Sequence, residues 1–391
     1  MNILRRTSTL RLVIAVLVIG IVSGATAYAV STRSGPKPPP RSLAAAIHSA
    51  LAGRPVSGVT ARIAFTDHLL QTGLPGAASS PLVTGATGRL WAGGGRLRLE
   101  LQASTGDTEI GFDGRALTVY DVASNTAYMM ALRQGGWRPY SGGTSARQVP
   151  SISGIRQALQ PLLQHVSLAG PVPTNIGGQP AYTVRISPKH SAGLLGSVEL
   201  GWDAAHGVPL KVAVYSQGDS TPVLSLKATS ISFGSVPASD LRVSLAPGAK
   251  VVHVTAPTHM PGDSDDHGNP EVSGVDAVAH ALSFPLSAPA QLVGVPRQTV
   301  RLVESSSSKG AMVVYGRGLG AILVLEQPLN GELGGHSMLS SLPTVAVHGA
   351  AAHELSTALG TAIQWDRGGV RYTLIGSLPA PAAEAAARAI G

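Results

Sequence analysis

The chain runs to 391 residues without a cysteine, with 13% charged and 4% aromatic side chains and a formal net charge of +8. The missing thiol excludes disulfide frameworks, thiolate metal centres, cysteine nucleophiles and lipid attachment through cysteine. Lysines and arginines are scattered singly instead of alternating with aromatics, which argues against nucleic acid as a partner.

Leu12 to Val30 is a run of 19 residues without a charged side chain. At about 1.5 Å per helical residue it reaches roughly 28 Å, the thickness of a bilayer's hydrocarbon layer. Arg5, Arg6 and Arg11 precede it and no acidic residue occurs among the first thirty. The positive-inside rule then predicts a cytoplasmic N-terminus, with residues 31–391 outside the cell membrane. Ala25-Thr26-Ala27 and Ala27-Tyr28-Ala29 also fit signal cleavage, so residues 1–30 read either as a single-pass transmembrane anchor or as a signal segment of a secreted protein. The exported part carries 26 basic and 21 acidic residues, a mild positive excess compatible with an anionic membrane surface.

Residues 31–41, with Pro36 and Pro38 to Pro40, predict an extended stalk. Ser42 can cap a short helix whose apolar stripe is Leu43, Ala46, Ile47, Ala50 and Leu51, ended by Gly53 and Pro55. From Val59 the apolar period changes to two. The alternation is cleanest at Arg96-Leu97-Arg98-Leu99-Glu100-Leu101, where the leucines share one strand face and the charges the other. Asp113-Gly114 marks a hairpin between strands at 108–112 and 116–120, and a further strand spans 126–132. Such tight connections predict an antiparallel meander. Ser151 to Val166 reads as a helix bent or restarted at Pro161, with Ile152, Ile155, Leu159 and Leu163 on one side. Strands follow at 181–187, 196–203, 209–216 and 223–233. Residues 254–273, rich in Pro, Gly, Asp and His, read as a linker, so residues 42–253 form one domain and 274–391 a second, small α+β domain. In the second, a helix at 275–282, strands at 299–304, 312–315, 321–326, 344–347, 362–366 and 370–375, and an Ala-rich helix at 380–390 are predicted. Strands on both sides of a helix without βα alternation make the class α+β.

The motifs that could carry chemistry dissolve on inspection. Gly316-Arg317-Gly318-Leu319-Gly320 precedes the strand-like Ala321 to Leu325, not the helix a phosphate loop needs, and reads as a hairpin turn. Gly335-His336-Ser337-Met338-Leu339 lacks the second glycine of a nucleophile elbow and reads as a surface loop. His348 and His353 read as exposed. The linker set His259, Asp263, Asp265, Asp266 and His267 offers donors for weak cation binding but reads as a solvated linker, because its chain would have to lose entropy to close on an ion. No catalytic residue, metal or cofactor is expected, and the chain reads as a non-enzyme.

What remains is an apolar sheet face with little helix to cover it. Leu97, Leu99, Leu101, Ile110, Phe112, Val119, Met130, Val212, Val214, Leu224 and Leu226 are the candidate lining of a lipid cavity. The pattern alone also permits the same residues to pack on the two helices as an ordinary core.

Gly178-Gln179-Pro180-Ala181-Tyr182-Thr183-Val184-Arg185-Ile186-Ser187-Pro188, then Leu200-Gly201-Trp202-Asp203 with Val208-Pro209-Leu210-Lys211-Val212, resembles the LolA-like superfamily of exported lipoprotein and lipid carriers, including the N-terminal part of the RseB/MucB regulators. Phe233 to Leu241 followed by Ala246-Pro247-Gly248-Ala249 resembles that family's closing strand and tail. The resemblance implies a curved antiparallel half-barrel around a hydrophobic cavity, closed by short helices. It also implies a lipid or acylated protein as ligand or, in the RseB-like alternative, a membrane regulatory protein such as an anti-sigma factor as partner. Ser283-Phe284-Pro285-Leu286, Gln364-Trp365 and Tyr372 to Gly376 resemble a small domain of unknown function on membrane-anchored proteins of Gram-positive bacteria.

Overall fold

The computed structural model describes residues 35–69, 85–104, 106–131, 149–189, 193–254, 272–304, 308–317, 320–329 and 342–390. The proposed membrane segment, the Gly335 motif and the linker histidines and aspartates lie outside them. Among the described residues no helix is long and apolar enough to cross a membrane. The chain divides into two compact units, Met1–Lys189 with Ser197–Ala256 and His190–Gly196 with Pro257–Gly391.

The first unit is built on a twelve-stranded sheet made of two meanders. One runs β1 (Gly58–Asp67), β2 (Ala86–Gly93), β3 (Arg96–Ala103), β4 (Gly106–Phe112), β5 (Ala116–Asp121) and β6 (Thr126–Ala131). The other runs β7 (Val166–Ile176), β8 (Gln179–Pro188), β9 (Leu195–Asp203), β10 (Pro209–Ser216) and β11 (Leu224–Phe233). The two join at the antiparallel β1–β11 pair, and β12 (Lys250–Val254) adds a parallel strand outside β6. Turn chemistry sets the hairpins. Gly94 and Gly95, between β2 and β3, both have positive φ, as a two-residue type I′ turn requires, and Asp113 accepts the Arg115 and Ala116 N–H groups at 2.8 Å each before β5.

The sheet is curled. β7 and β11 are separated by three strands, which in a flat sheet would put them about 19 Å apart. A Cβ built on Gly177, in the β7–β8 turn, would nevertheless lie 3.3 Å from the Ala228 carbonyl oxygen of β11. Ile176, Ala181, Leu210 and Ala228 pack together where the ends meet.

Helix α1 (Leu43–Leu51) starts at Ser42, whose Oγ accepts the Ala45 N–H at 3.3 Å. Helix α2 (Ile152–Leu163) starts at Ser151, which caps Gly154 at 3.1 Å. The two pack on each other and on β7. The α1 stripe needs correction: Ala44 and Ala46 are buried, whereas Leu51 is exposed. On α2 only Ile155 is buried, Ile152 is exposed, and Pro161 sits inside the last turn. The residues expected to form a free stalk are tied down from Pro36 onward. Asn175 Nδ2 donates to the Pro36 carbonyl at 3.1 Å, and the Tyr182 hydroxyl to that of Pro39 at 2.6 Å.

The second unit is an eight-stranded sheet in the order β13-β14-β15-β16-β20-β19-β18-β17. These strands are β13 (Gln291–Leu292), β14 (Val295–Glu304), β15 (Lys309–Tyr315), β16 (Ile322–Pro328), β17 (Thr344–Val347), β18 (Ala350–Thr357), β19 (Gly360–Arg367) and β20 (Val370–Gly376). Helix α3 (Val275–Ala281) packs on β14, and α4 (Ala380–Arg388) on β17, β19 and β20. Ala383, Ala386 and Ala387 bring α4 close enough to bury Trp365, Ile363 and Leu374 beneath the helices. Gly316 opens the β15–β16 connection with a positive φ, consistent with a hairpin turn. His353, read as exposed, is half-buried within β18, opposite Thr344.

Candidate functional site

Strand register decides which side chains of the first unit share a face. Ala61 lies opposite Leu90, Leu90 opposite Leu99, Leu99 opposite Ile110 and Ile110 opposite Val119, and cross-strand partners project to the same side. Followed through β6 and β12, this row continues to Tyr128 and Val252. A parallel row runs Val59, Ala92, Leu97, Phe112, Leu117, Met130 and Val254. A third, on the other side of the first, runs Ile63, Gly88, Leu101, Thr108, Asp121, Thr126 and Lys250. Toward β10 the same face continues from Phe65 to Leu226 and Val212, and from Asp67 to Leu224 and Val214.

All eleven residues singled out from the sequence therefore lie on one face, spread over β3–β6, β10 and β11. Leu101, Phe112 and Leu224 are buried; Leu97, Leu99, Ile110, Val119, Met130, Val212, Val214 and Leu226 are half-buried. The two helices pack on each other and against β7. Sequence reasoning missed that β1 and β2 contribute Ala61, Ile63, Phe65 and Leu90 to the same apolar cluster. The signal was present: Ala61, Ile63 and Phe65 alternate with Thr60, Arg62 and Ala64.

Polar groups also reach this face. Thr108 is 2% exposed and Thr126 9%. Asp67, 7% exposed on the same side of β1, takes the Leu69 N–H, and burial pushes its carboxyl up to about 7. Asp121 turns to its own loop, accepting from Ala123 N at 3.0 Å and Ser124 Oγ at 2.8 Å.

The opposite face is charged and is crossed by a strap, residues 234–249. Arg98 pairs with Glu100 at 2.5 Å and Glu109 at 3.1 Å and lies over the Trp91 ring. Burial pushes the Glu109 carboxyl up against the pull of Arg98. Val243 of the strap fills the space above Gly111, and the Ala246 N–H donates to the Tyr120 hydroxyl at 3.3 Å. Further along, Glu199 accepts from Lys211 at 2.6 Å, Tyr215 at 3.0 Å and Arg185 at 3.1 Å. Burial opposes ionisation there, but these three donors win and hold the carboxyl below its usual range. Such networks hold each of these side chains to fixed partners. Among the described residues no group of three or more His, Asp or Glu could hold a metal ion.

No family model matches this chain, and none of the curated proteins does. Solved structures do. The chain is similar to MucB in complex with MucA(peri), with 15% identity over 88% of this chain and 95% of that one and a TM-score of 0.41. It is also similar to the MucA/MucB complex of Pseudomonas aeruginosa, with 15% identity over 89% and 98% and a TM-score of 0.41. A LolA superfamily protein, NE2245 from Nitrosomonas europaea, matches 51% of this chain and 96% of its own at 13% identity, with a TM-score of 0.21.

Proposed function

We propose that this is a non-enzymatic protein, tethered to the outer side of the cell membrane through residues 1–30, whose first unit holds the acyl chain of a lipid or lipoprotein against the dry face of its curled sheet. The observation that carries this reading is the apolar face of β3–β6, which is continuous in register and leaves Leu97, Leu99, Ile110, Val119 and Met130 half-buried. Covering it with an acyl chain gains about 0.8 kcal/mol per methylene buried. A role as core alone does not account for the eight of the eleven that stay partly accessible.

Lipid extraction from the purified full-length protein, followed by mass spectrometry, tests the proposal. A stoichiometric lipid is expected with the natural chain. Leu99→Asp, which sets a carboxylate in the middle of the face, should lower recovery at least about tenfold, because burying an unpaired charge costs more than ~1.4 kcal/mol. Equal recovery from a folded variant, checked by circular dichroism, would refute the assignment. If no lipid is recovered and a crosslinked pull-down returns one dominant membrane protein, the RseB-like regulatory alternative replaces it.

A further inference from the structure

Charge is divided unevenly along the chain. Residues 35–254 carry 18 lysines and arginines against 10 aspartates and glutamates, whereas residues 274–391 carry seven of each. On the charged face of the large sheet several cations are held by acids: Arg98 by Glu100 and Glu109, Arg185 and Lys211 by Glu199. Arg62 of β1 and Arg89 of β2 differ. They alternate with Ala61, Ile63 and Leu90 of the dry cluster, so they project to the charged side, where both are exposed and stand directly opposite each other. Among the described residues neither has an ion-pair or hydrogen-bond partner. Glu100, across the ladder from Arg89, is taken by Arg98, and the β1–β2 connection, residues 68–85, contains no acid. The next cation is Lys227 of β11, across from Ala64 and two residues along from Arg62. The strap leaves the pair uncovered: Val236 lies beside Gly58 and Gly93, four residues away on each strand, and Val243 over Gly111. Like charges facing each other across a ladder repel and weaken it, and an anion set between the two guanidinium groups would remove that repulsion.

The position of the pair favours one source of anion. Only residues 31–35 separate the proposed membrane segment from Pro36, at most roughly 20 Å of chain. Pro36 is held by Asn175, two residues from Gly177, which abuts Ala228, and Ala228 pairs with Ile63, the neighbour of Arg62. The tether therefore reaches the first unit a few residues' width from the arginines. We infer that Arg62, Arg89 and Lys227 form a docking patch for the phosphate groups of anionic phospholipids in the membrane that carries the protein. This rests on the location proposed above and adds an electrostatic contact to the hydrophobic tether. A guanidinium presents a planar fork of donors that matches two phosphate oxygens at once.

The test holds the full-length protein in phosphatidylcholine nanodiscs, which accommodate residues 1–30 without adding net charge. These are mixed with sedimenting phosphatidylcholine vesicles that contain either no anionic lipid or about 30% phosphatidylglycerol. The protein should sediment with the anionic vesicles and stay behind with the neutral ones, and high salt should abolish the difference. Arg62→Gln/Arg89→Gln should weaken binding to the anionic vesicles at least about tenfold. Arg54→Gln/Arg156→Gln removes the same charge from exposed positions just after α1 and on α2, and should leave binding at its natural level. Equal binding to both kinds of vesicle overturns the patch, as does an Arg62/Arg89 variant that binds no worse than the Arg54/Arg156 one. The tether fails separately: release of the natural protein from cell membranes by an alkaline carbonate wash, with vesicle binding intact, would remove the tether and leave the patch.

Discussion

Glu326 is 1% exposed in the core of the second unit, where Oε2 accepts the Ser287 N–H at 3.0 Å and Oε1 meets no hydrogen-bond partner among the described residues. Burial pushes its carboxyl up to about 7, only partly countered by that one donor. A carboxyl that binds its proton more tightly when folded makes the fold most stable below the unfolded value near 4.5 and less stable as pH rises to about 7, above which the penalty is constant. The full penalty is on the order of 3 kcal/mol. Glu326→Gln, which cannot ionise, should therefore gain roughly 2–3 kcal/mol relative to the natural protein between pH 5 and pH 8 in urea titrations. A difference independent of pH would show that Glu326 is ionised throughout. Asp67 in the first unit carries the same sign, so Asp67→Asn should also gain between pH 5 and pH 8. Neither carboxyl was legible in the sequence as a buried group. Glu326 ends the apolar run Ile322 to Leu325 and Asp67 follows Thr66, positions where a charge reads as the solvent end of a strand. Only the partners across the ladder, Tyr372 for one and Leu224 for the other, reveal the dry side.

Among the elements, those written in alternation and turn chemistry were readable and those governed by tertiary neighbours were not. The β3–β4–β5 hairpins follow from Arg96 to Leu101 and Asp113-Gly114. By contrast, β7 went unassigned because Pro171 and Pro173 argue against a strand; its place at the edge of the sheet, where missing N–H groups cost nothing, resolves the conflict. β12 was missed because five residues after a Pro-Gly turn carry little pattern, and β18 because its Ala-rich start has weak strand propensity. The eleven-residue apolar face was legible residue by residue, but the pairing of β1 with β11 that makes it continuous was not. Close backbone approach gives two tests at this scale. A Cβ on Gly88 of β2 would overlap the Glu100 carbonyl of β3, so Gly88→Ala should lower Tm by about 5–10 °C, the equivalent of 2–3 kcal/mol in a domain of this size. A Cβ on Gly111 would overlap Val243 of the strap. Gly111→Ala should lift the strap and speed hydrogen exchange at Lys250–Val254 while leaving β1–β3 protected; unchanged exchange there would mean that the strap does not hold β12 in place.

For the whole chain, the proposed tether predicts that an alkaline carbonate wash leaves the full-length protein in the membrane fraction. A washed-out product beginning just after Ala27 or Ala29 would show that the segment is cleaved instead. The central seam of the large sheet bears on delivery. Val59 pairs with Phe233 and Asp67 with Leu224, so the two meanders are stitched by the most distant partners in the sheet. Contacts of such long range form slowly, because the intervening chain must first be ordered. A polypeptide crossing a membrane from its N-terminus can thus form local hairpins on arrival but cannot complete the twelve-stranded sheet until β11 has followed. On the proposed export route, the first 233 residues must therefore stay open and threadable until β11 has crossed.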